Sequence, residues 1–217
     1  MTVWGIVVAG GKGSRFGAPK QFEALGAARP SLVERAVATT ASACDRVVVV
    51  LPPTRTWDGS PVTAVVAGGE RRSDSVRAGL AAVADEADVI VVHDAARPLA
   101  SAALFRAVID AVRDGADGAV PALALADTVK RVEGTRVVET VPREGLAAVQ
   151  TPQAFRAEAL RRAHAAGADA TDDAALVEAG GGRVVIVPGE RANLKVTTPA
   201  DLDLAAALLG TSEERAR

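Results

Sequence analysis

Short apolar runs rich in β-branched residues recur along the chain at Val3 to Ala9, Val47 to Leu51, Val62 to Val66, Val89 to Val92 and Val184 to Val187. Each is too short for a helix and apolar at consecutive positions, the pattern of a strand covered on both faces in a parallel sheet. Between them Ala, Leu and Val recur at helical spacing over Ser31 to Ala43, Asp74 to Ala84, Ser101 to Asp114, Ala157 to Ala166, Asp172 to Ala179 and Pro199 to Leu209. Ser31, Ser73 and Ser101 stand where N-caps belong, and Pro199 suits a first helical position. This alternation predicts a doubly wound α/β domain, a fold that binds ligands beyond the carboxyl ends of its strands.

The rhythm breaks from Thr128 to Val149. Two β-like runs, Thr128 to Val132 and Arg136 to Val141, flank Glu133 and Gly134, the signal of a hairpin. A two-stranded ribbon is marginal in water by itself, so this arm, about residues 127–149, must lean either on its own domain or on a second subunit. The rest reads as one domain over residues 1–210 with a loose tail over 211–217.

Composition narrows the class. The 217 residues carry 25 basic and 27 acidic side chains and only four Phe and two Trp, so the chain lacks both the basic footprint and the stacking platforms of a nucleic-acid binder. Only four of the basic residues are lysines: Lys12, Lys20, Lys130 and Lys195. The single cysteine, Cys44, suits a buried apolar position and a reducing compartment. No run approaches the ~18 apolar residues of a membrane span, and the N-terminus lacks a signal-peptide pattern. A soluble cytoplasmic protein with no membrane partner is expected.

Four segments carry candidate chemistry. Directly after the first strand comes Ala9-Gly10-Gly11-Lys12-Gly13-Ser14-Arg15-Phe16-Gly17-Ala18-Pro19-Lys20. Glycines there let the backbone turn and offer N–H groups to a phosphate. It is not a Walker loop, because Gly13 follows Lys12, and the dinucleotide pattern started at Gly11 meets Phe16 where its last glycine belongs. The loop ends instead in two cations, Arg15 and Lys20. Next, His93-Asp94-Ala95-Ala96-Arg97-Pro98 closes a strand, with Asp94 a ligand or turn residue and His93 a catalytic or structural one. Gly68-Gly69-Glu70-Arg71-Arg72-Ser73-Asp74-Ser75 is a glycine turn entering a helix, either a capped start with solvated charges or a place where backbone reads a base while Arg72 reaches a phosphate or sugar. Last, Asn193-Leu194-Lys195-Val196-Thr197 sets one lysine before the final helix.

In this order, and with D-T-V-K at Asp127 to Lys130, V-P-R at Val141 to Arg143, Q-T-P-Q-A-F at Gln150 to Phe155 and T-D-D-A at Thr171 to Ala174, the segments resemble the 2-C-methyl-D-erythritol 4-phosphate cytidylyltransferase family of the non-mevalonate isoprenoid pathway. The resemblance covers Val7 to about Leu204. It implies a Rossmann-like nucleotidyltransferase fold, doubly wound and mostly parallel, with a protruding hairpin arm that crosses a homodimer. Phe16 stands where the family usually has Met, the connection from Leu51 to Val62 lacks the helix expected there, and no fused cyclodiphosphate synthase domain is expected. A pentitol-phosphate cytidylyltransferase shares the fold and chemistry, and a non-catalytic nucleotide sensor is the alternative from another class.

The implied reaction transfers a cytidylyl group from CTP to a polyol phosphate. The nucleophile is already an anion, so the obstacle is repulsion, about 4 kcal/mol per charge pair at about 4 Å and an effective dielectric near 20. By the resemblance, Arg15, Lys20 and Lys195 stabilise the crowded phosphorus centre, and Gly11, Lys12 and Gly13 cradle the outer phosphates with Mg²⁺ held mainly by phosphate oxygens. Ala9, Gly10, Gly69 and Ser75 read cytosine, with Arg72 and Asp94 near the nucleotide. Asp94, Arg97, Thr128, Arg143, Thr151 and Thr171 hold the methylerythritol phosphate, Thr128 and Arg143 in the partner's site.

Overall fold

The computed structural model describes residues 1–11, 13, 16–26, 29–165 and 167–215. The chain runs β1 (Val3–Val8), a 3-10 turn (Lys20–Phe22), α1 (Leu32–Ala41), β2 (Arg46–Leu51), β3 (Ala64–Ala67), α2 (Arg72–Leu80), β4 (Val89–Asp94) and α3 (Ala102–Arg113). It continues with β5 (Gly118–Ala124), β6 (Val129–Glu133), β7 (Arg136–Val141), β8 (Ala147–Val149), β9 (Gln153–Arg156), α4 (Ala157–Ala165), α5 (Asp173–Ala179), β10 (Val184–Pro188) and α6 (Pro199–Arg215). The main sheet has the order β10-β5-β9-β4-β1-β2-β3, with β8 beside β5. β1 pairs in parallel with β2 on one side and β4 on the other. The chain thus works outward from β1 to β3 and returns through α2 to β4, which puts the topological switch point between β1 and β4, where such sheets bind ligands.

Alternate strand residues feed cores on opposite faces of the sheet. Ile6, Val48, Val50, Ile90 and Val92 cluster with Val76 of α2, Leu160 of α4 and Val177 of α5. The intervening Val3, Val89 and Val91 meet Phe105 and Val108 of α3, and Val7, Val47 and Val49 meet Val33 and Val37 of α1. Each such buried side chain contributes about 1.5–3 kcal/mol of burial, so the strands that carry the site are anchored from both faces.

Ser31 caps α1 in a reciprocal box with Glu34, and Ser101 caps α3. The expected cap at α2 is corrected. The helix begins at Arg72, and the flanking Arg71 donates its backbone N–H to Asp74 Oδ2 at 3.1 Å; Ser73 is buried in the first turn and donates its hydroxyl to Asp169 at 2.6 Å. Asp74 suits this place because an acid in the first turn complements the helix dipole.

Three other expectations change. β3 and β10 are the outer strands of the sheet and are not covered on both faces: Val65 is 45% exposed and Ile186 63%. β5, β8 and β9 were not apparent in the pattern, and β9 lies antiparallel between β4 and β5. The final helix continues through Gly210 to Arg215 where a loose tail was expected, since one glycine costs a helix about 1 kcal/mol without breaking its ladder. The stretch between β2 and β3 holds no helix, as its sequence indicated. β6 and β7 form a separate antiparallel ribbon, with Gly134 at φ +58° in its turn.

Candidate functional site

β1 delivers the chain to the switch point at Ala9 and Gly10, and three packing details shape the turn that follows. Gln21, buried in the 3-10 turn, donates through Nε2 to Ala9 O at 2.7 Å and Gly11 O at 2.8 Å. These bonds occupy carbonyls whose negative ends would oppose an anion. Gly13 has φ +66°, and a Cβ there would stand 1.9 Å from Ala18 O, so no other residue closes this turn without moving backbone. Gly10 and Gly68 approach each other against buried Ser75, whose hydroxyl lies 3.0 Å from where a Gly10 Cβ would sit. The β1 and β3 turns therefore meet over the start of α2.

Between these turns lies a cleft of about 280 Å³ lined by Ala9, Gly10, Gly11, Gly13, Lys20, Gly69, Arg72, Ser75, Asp94 and Lys195, among others. It gathers each residue expected around a nucleotide that the structure describes. Lys12 and Arg15 lie outside the described residues.

Asp94, at the carboxyl end of β4, is the electrostatic centre. Its Oδ1 accepts from Arg72 Nε at 3.0 Å and its Oδ2 from Lys195 Nζ at 2.7 Å. Burial alone would raise its pKa, but these two cations more than offset that and hold the carboxyl well below the usual carboxylate range. Arg72 is likewise opposed by burial and rescued by Asp94 and Asp173, which together push its pKa up. The Lys195 segment docks on the same turn through Val196 N to Ala96 O at 2.8 Å. It is braced by Asn193, fully buried, which donates to Thr151 O at 2.9 Å, and by Gln150, which donates to Glu190 O at 2.9 Å.

His93 proves structural. Its Nε2 donates to Arg97 O at 3.2 Å, Nδ1 accepts from Thr151 Oγ1 at 3.1 Å, and Thr151 Oγ1 accepts from Asp94 N at 3.1 Å. A neutral imidazole satisfies all three contacts. Complete burial, partly countered by Asp94, lowers the His93 pKa to about 4, so the ring is no base at neutral pH.

A second cavity of about 100 Å³ adjoins the cleft and shares Arg72, Asp94 and Lys195 with it; Arg97, Thr151 and Thr171, three more of the expected acceptor residues, line it too. Arg97 is tied to Asn193 O at 2.7 Å, and burial lowers its pKa. Thr128 and Arg143 line neither cavity. Both are exposed at the base of the ribbon, where Arg143 donates to Ala126 O. Lys130 lies on the ribbon and donates to Thr140 Oγ1 at 2.6 Å. The bracing residues Gln21, Gln150 and Asn193 stand inside the recognised motifs but had no role assigned from sequence; their signal was an amide side chain beside a buried strand.

A doubly wound sheet that opens its switch point onto a glycine turn, and brings cations there instead of a base, is the architecture of a nucleotidyltransferase. The family model described as 2-C-methyl-D-erythritol 4-phosphate cytidylyltransferase matches residues 3–211. The chain is 49% identical to the 2-C-methyl-D-erythritol 4-phosphate cytidylyltransferase of Rhodococcus jostii, over 94% of this chain and 93% of that one. It is 48% identical to that of Frankia casuarinae, over 94% and 80%. The crystal structure of 2-C-methyl-D-erythritol 4-phosphate cytidylyltransferase from Thermus thermophilus superposes with a TM-score of 0.82 at 36% identity, covering 94% of this chain and 97% of that one. The chain belongs to the 2-C-methyl-D-erythritol 4-phosphate cytidylyltransferase family.

Proposed function

We propose that this protein transfers a cytidylyl group from CTP to 2-C-methyl-D-erythritol 4-phosphate, releasing pyrophosphate and giving 4-diphosphocytidyl-2-C-methyl-D-erythritol for isoprenoid synthesis. The observation that carries the reading is the pair of adjoining cavities joined at Arg72, Asp94 and Lys195. One is floored by the glycine turn and suits a nucleotide; the other is small and polar and suits a polyol phosphate.

The chain's own residues do the electrostatic part. Gly10, Gly11 and Gly13 let backbone approach the triphosphate, and Ala9, Gly69 and Ser75 border the base. Lys20, Lys195 and, by family resemblance, Arg15 offset repulsion as the acceptor phosphate attacks the α-phosphorus and pyrophosphate leaves. Lysine suits this task as a compact, movable point charge. Asp94, Arg97, Thr151 and Thr171 enclose the acceptor.

Mg²⁺ fits as an ion that arrives on the nucleotide. Asp94 has both oxygens engaged by cations, and the described residues contain no group of three His, Cys, Asp or Glu able to hold a metal. CTP phosphate oxygens would hold the ion above the glycine turn, where it supplies charge neutralisation.

We further infer that the ribbon crosses to a second copy, so that Thr128 and Arg143 reach the partner's acceptor cavity. Support comes from the exposed apolar residues Val132, Val137 and Val138 on a ribbon detached from the main sheet. The absence of any long apolar helix among the described residues and the balanced charge accord with a soluble cytoplasmic enzyme.

Pyrophosphate release from CTP with methylerythritol phosphate against ribitol 5-phosphate tests the substrate. A kcat/KM preference of at least about tenfold for methylerythritol phosphate, or about 1.4 kcal/mol, is expected; the opposite preference assigns the chain to pentitol phosphates, and release with neither overturns the reading.

A further inference from the structure

Behind Arg72 lies a second tier of polar groups that line neither cavity. Asp173, the first residue of α5, is 1% exposed; its Oδ2 accepts from Arg72 Nη1 at 2.8 Å and its Oδ1 from His164 Nε2 at 3.0 Å. His164, at the end of α4, is also buried. A carboxylate only accepts, so Nε2 carries a hydrogen and is the donor. The result is a line of contacts from α4 through α5 to the head of α2 and on to Asp94.

Packing does not require this line. Where α4 and α5 meet the core through Leu160, Ala174 and Val177, an apolar pair would serve at least as well, because a buried ion pair rarely exceeds well-packed hydrophobic side chains in stability. Arg72 does require it. A cation at the first position of a helix opposes the helix dipole, and a guanidinium held by Asp94 through Nε alone could pivot about that contact. Asp173 supplies the second point, and His164 holds Asp173.

We infer that Asp173 and His164 are positioning residues for Arg72, aligning its guanidinium at the junction of the two cavities. This rests on the reading of that junction as the meeting place of nucleotide and acceptor. If Asp173 acts only through Arg72, removing its charge matters only while Arg72 is present.

The test is a double-mutant cycle on kcat/KM in pyrophosphate release, with circular dichroism on each variant. Asp173→Asn is expected to lower kcat/KM about tenfold in the wild-type background and by less than about twofold in Arg72→Ala. His164→Leu is expected to follow the same pattern, while His164→Gln, whose amide can donate to Asp173, recovers most of the loss. A loss that recurs undiminished in the Arg72→Ala background marks a merely structural role and overturns the inference, as does wild-type kinetics in Asp173→Asn. A wild-type enzyme that releases no pyrophosphate overturns the reading of the junction and this inference with it.

Discussion

Lys20 and Lys195 lie on the walls of one cleft although 175 positions separate them in the chain, and in the proposed reaction both supply positive charge where negative charge builds in the transition state. Lys20→Ala and Lys195→Ala should each lower kcat by about 100-fold or more while CTP binding changes far less. Single-turnover rates and CTP titrations check this, and wild-type turnover in either variant contradicts it. His93 carries a different prediction. Its pKa falls from 6.5 to about 4 on folding, so the unfolded chain takes up the proton first. This contribution to stability is whole above pH 6.5 and is lost as the pH falls toward 4, about 3 kcal/mol in all. Urea unfolding of wild type and His93→Gln should show their stability difference narrowing by about 2–3 kcal/mol between pH 7 and 4.5; parallel curves would remove the titration from the account. Asp94, with its pKa held low, loses its share only at still lower pH. The importance of Asp94 was legible from its place after an apolar strand. That His93 beside it is structural was only one of two readings, because its role rests on contacts with Thr151 and Arg97 that local pattern does not encode.

Among the elements, the strands flanking the switch point were readable because β1, β2 and β4 are covered on both faces and so carry runs of consecutive apolar residues, broken only at strand ends by Arg46, His93 and Asp94. β5 and β9 escaped for physical reasons. β5 is built of small residues around Pro121, which falls between its pairings with β9 at Gly118–Ala119 and with β8 at Ala122–Ala124. β9 is four residues long, and Gln153 occupies a fully buried position usually apolar. The glycine turn was legible, but the reason for Gly13 was not: its Cβ would collide with Ala18 O, a contact across the turn. Gly13→Ala should cost about 1–3 kcal/mol of local strain, lowering the thermal midpoint by about 2–10 °C, and raise the KM for CTP about tenfold at a temperature where the variant is still folded. Wild-type KM for CTP would show that the turn does not hold the phosphates.

At the scale of the whole molecule, the ribbon decides whether one chain makes a complete site. Thr128 and Arg143 line neither cavity of their own chain, and Val132 lies opposite Val137 in the ladder with both exposed. Light scattering should therefore report twice the 22.1 kDa of one chain. Replacing Val132 and Val137 together by Ser should yield monomer with a raised KM for the acceptor, as should Arg143→Ala within an intact dimer; a monomeric wild type with full activity would confine the ribbon to its own subunit. The doubly wound plan was legible from strand and helix alternation. The joining of two cavities by Arg72, Asp94 and Lys195 was not, because it depends on how loops from three distant segments dock. Transfer at that junction is read out by ³¹P NMR of the purified protein with CTP, Mg²⁺ and 2-C-methyl-D-erythritol 4-phosphate. Loss of the acceptor's monophosphate signal is expected, with matched growth of a new diphosphate and of pyrophosphate. Consumption of CTP to free CMP or CDP with the acceptor signal unchanged, or no consumption at all, would contradict it.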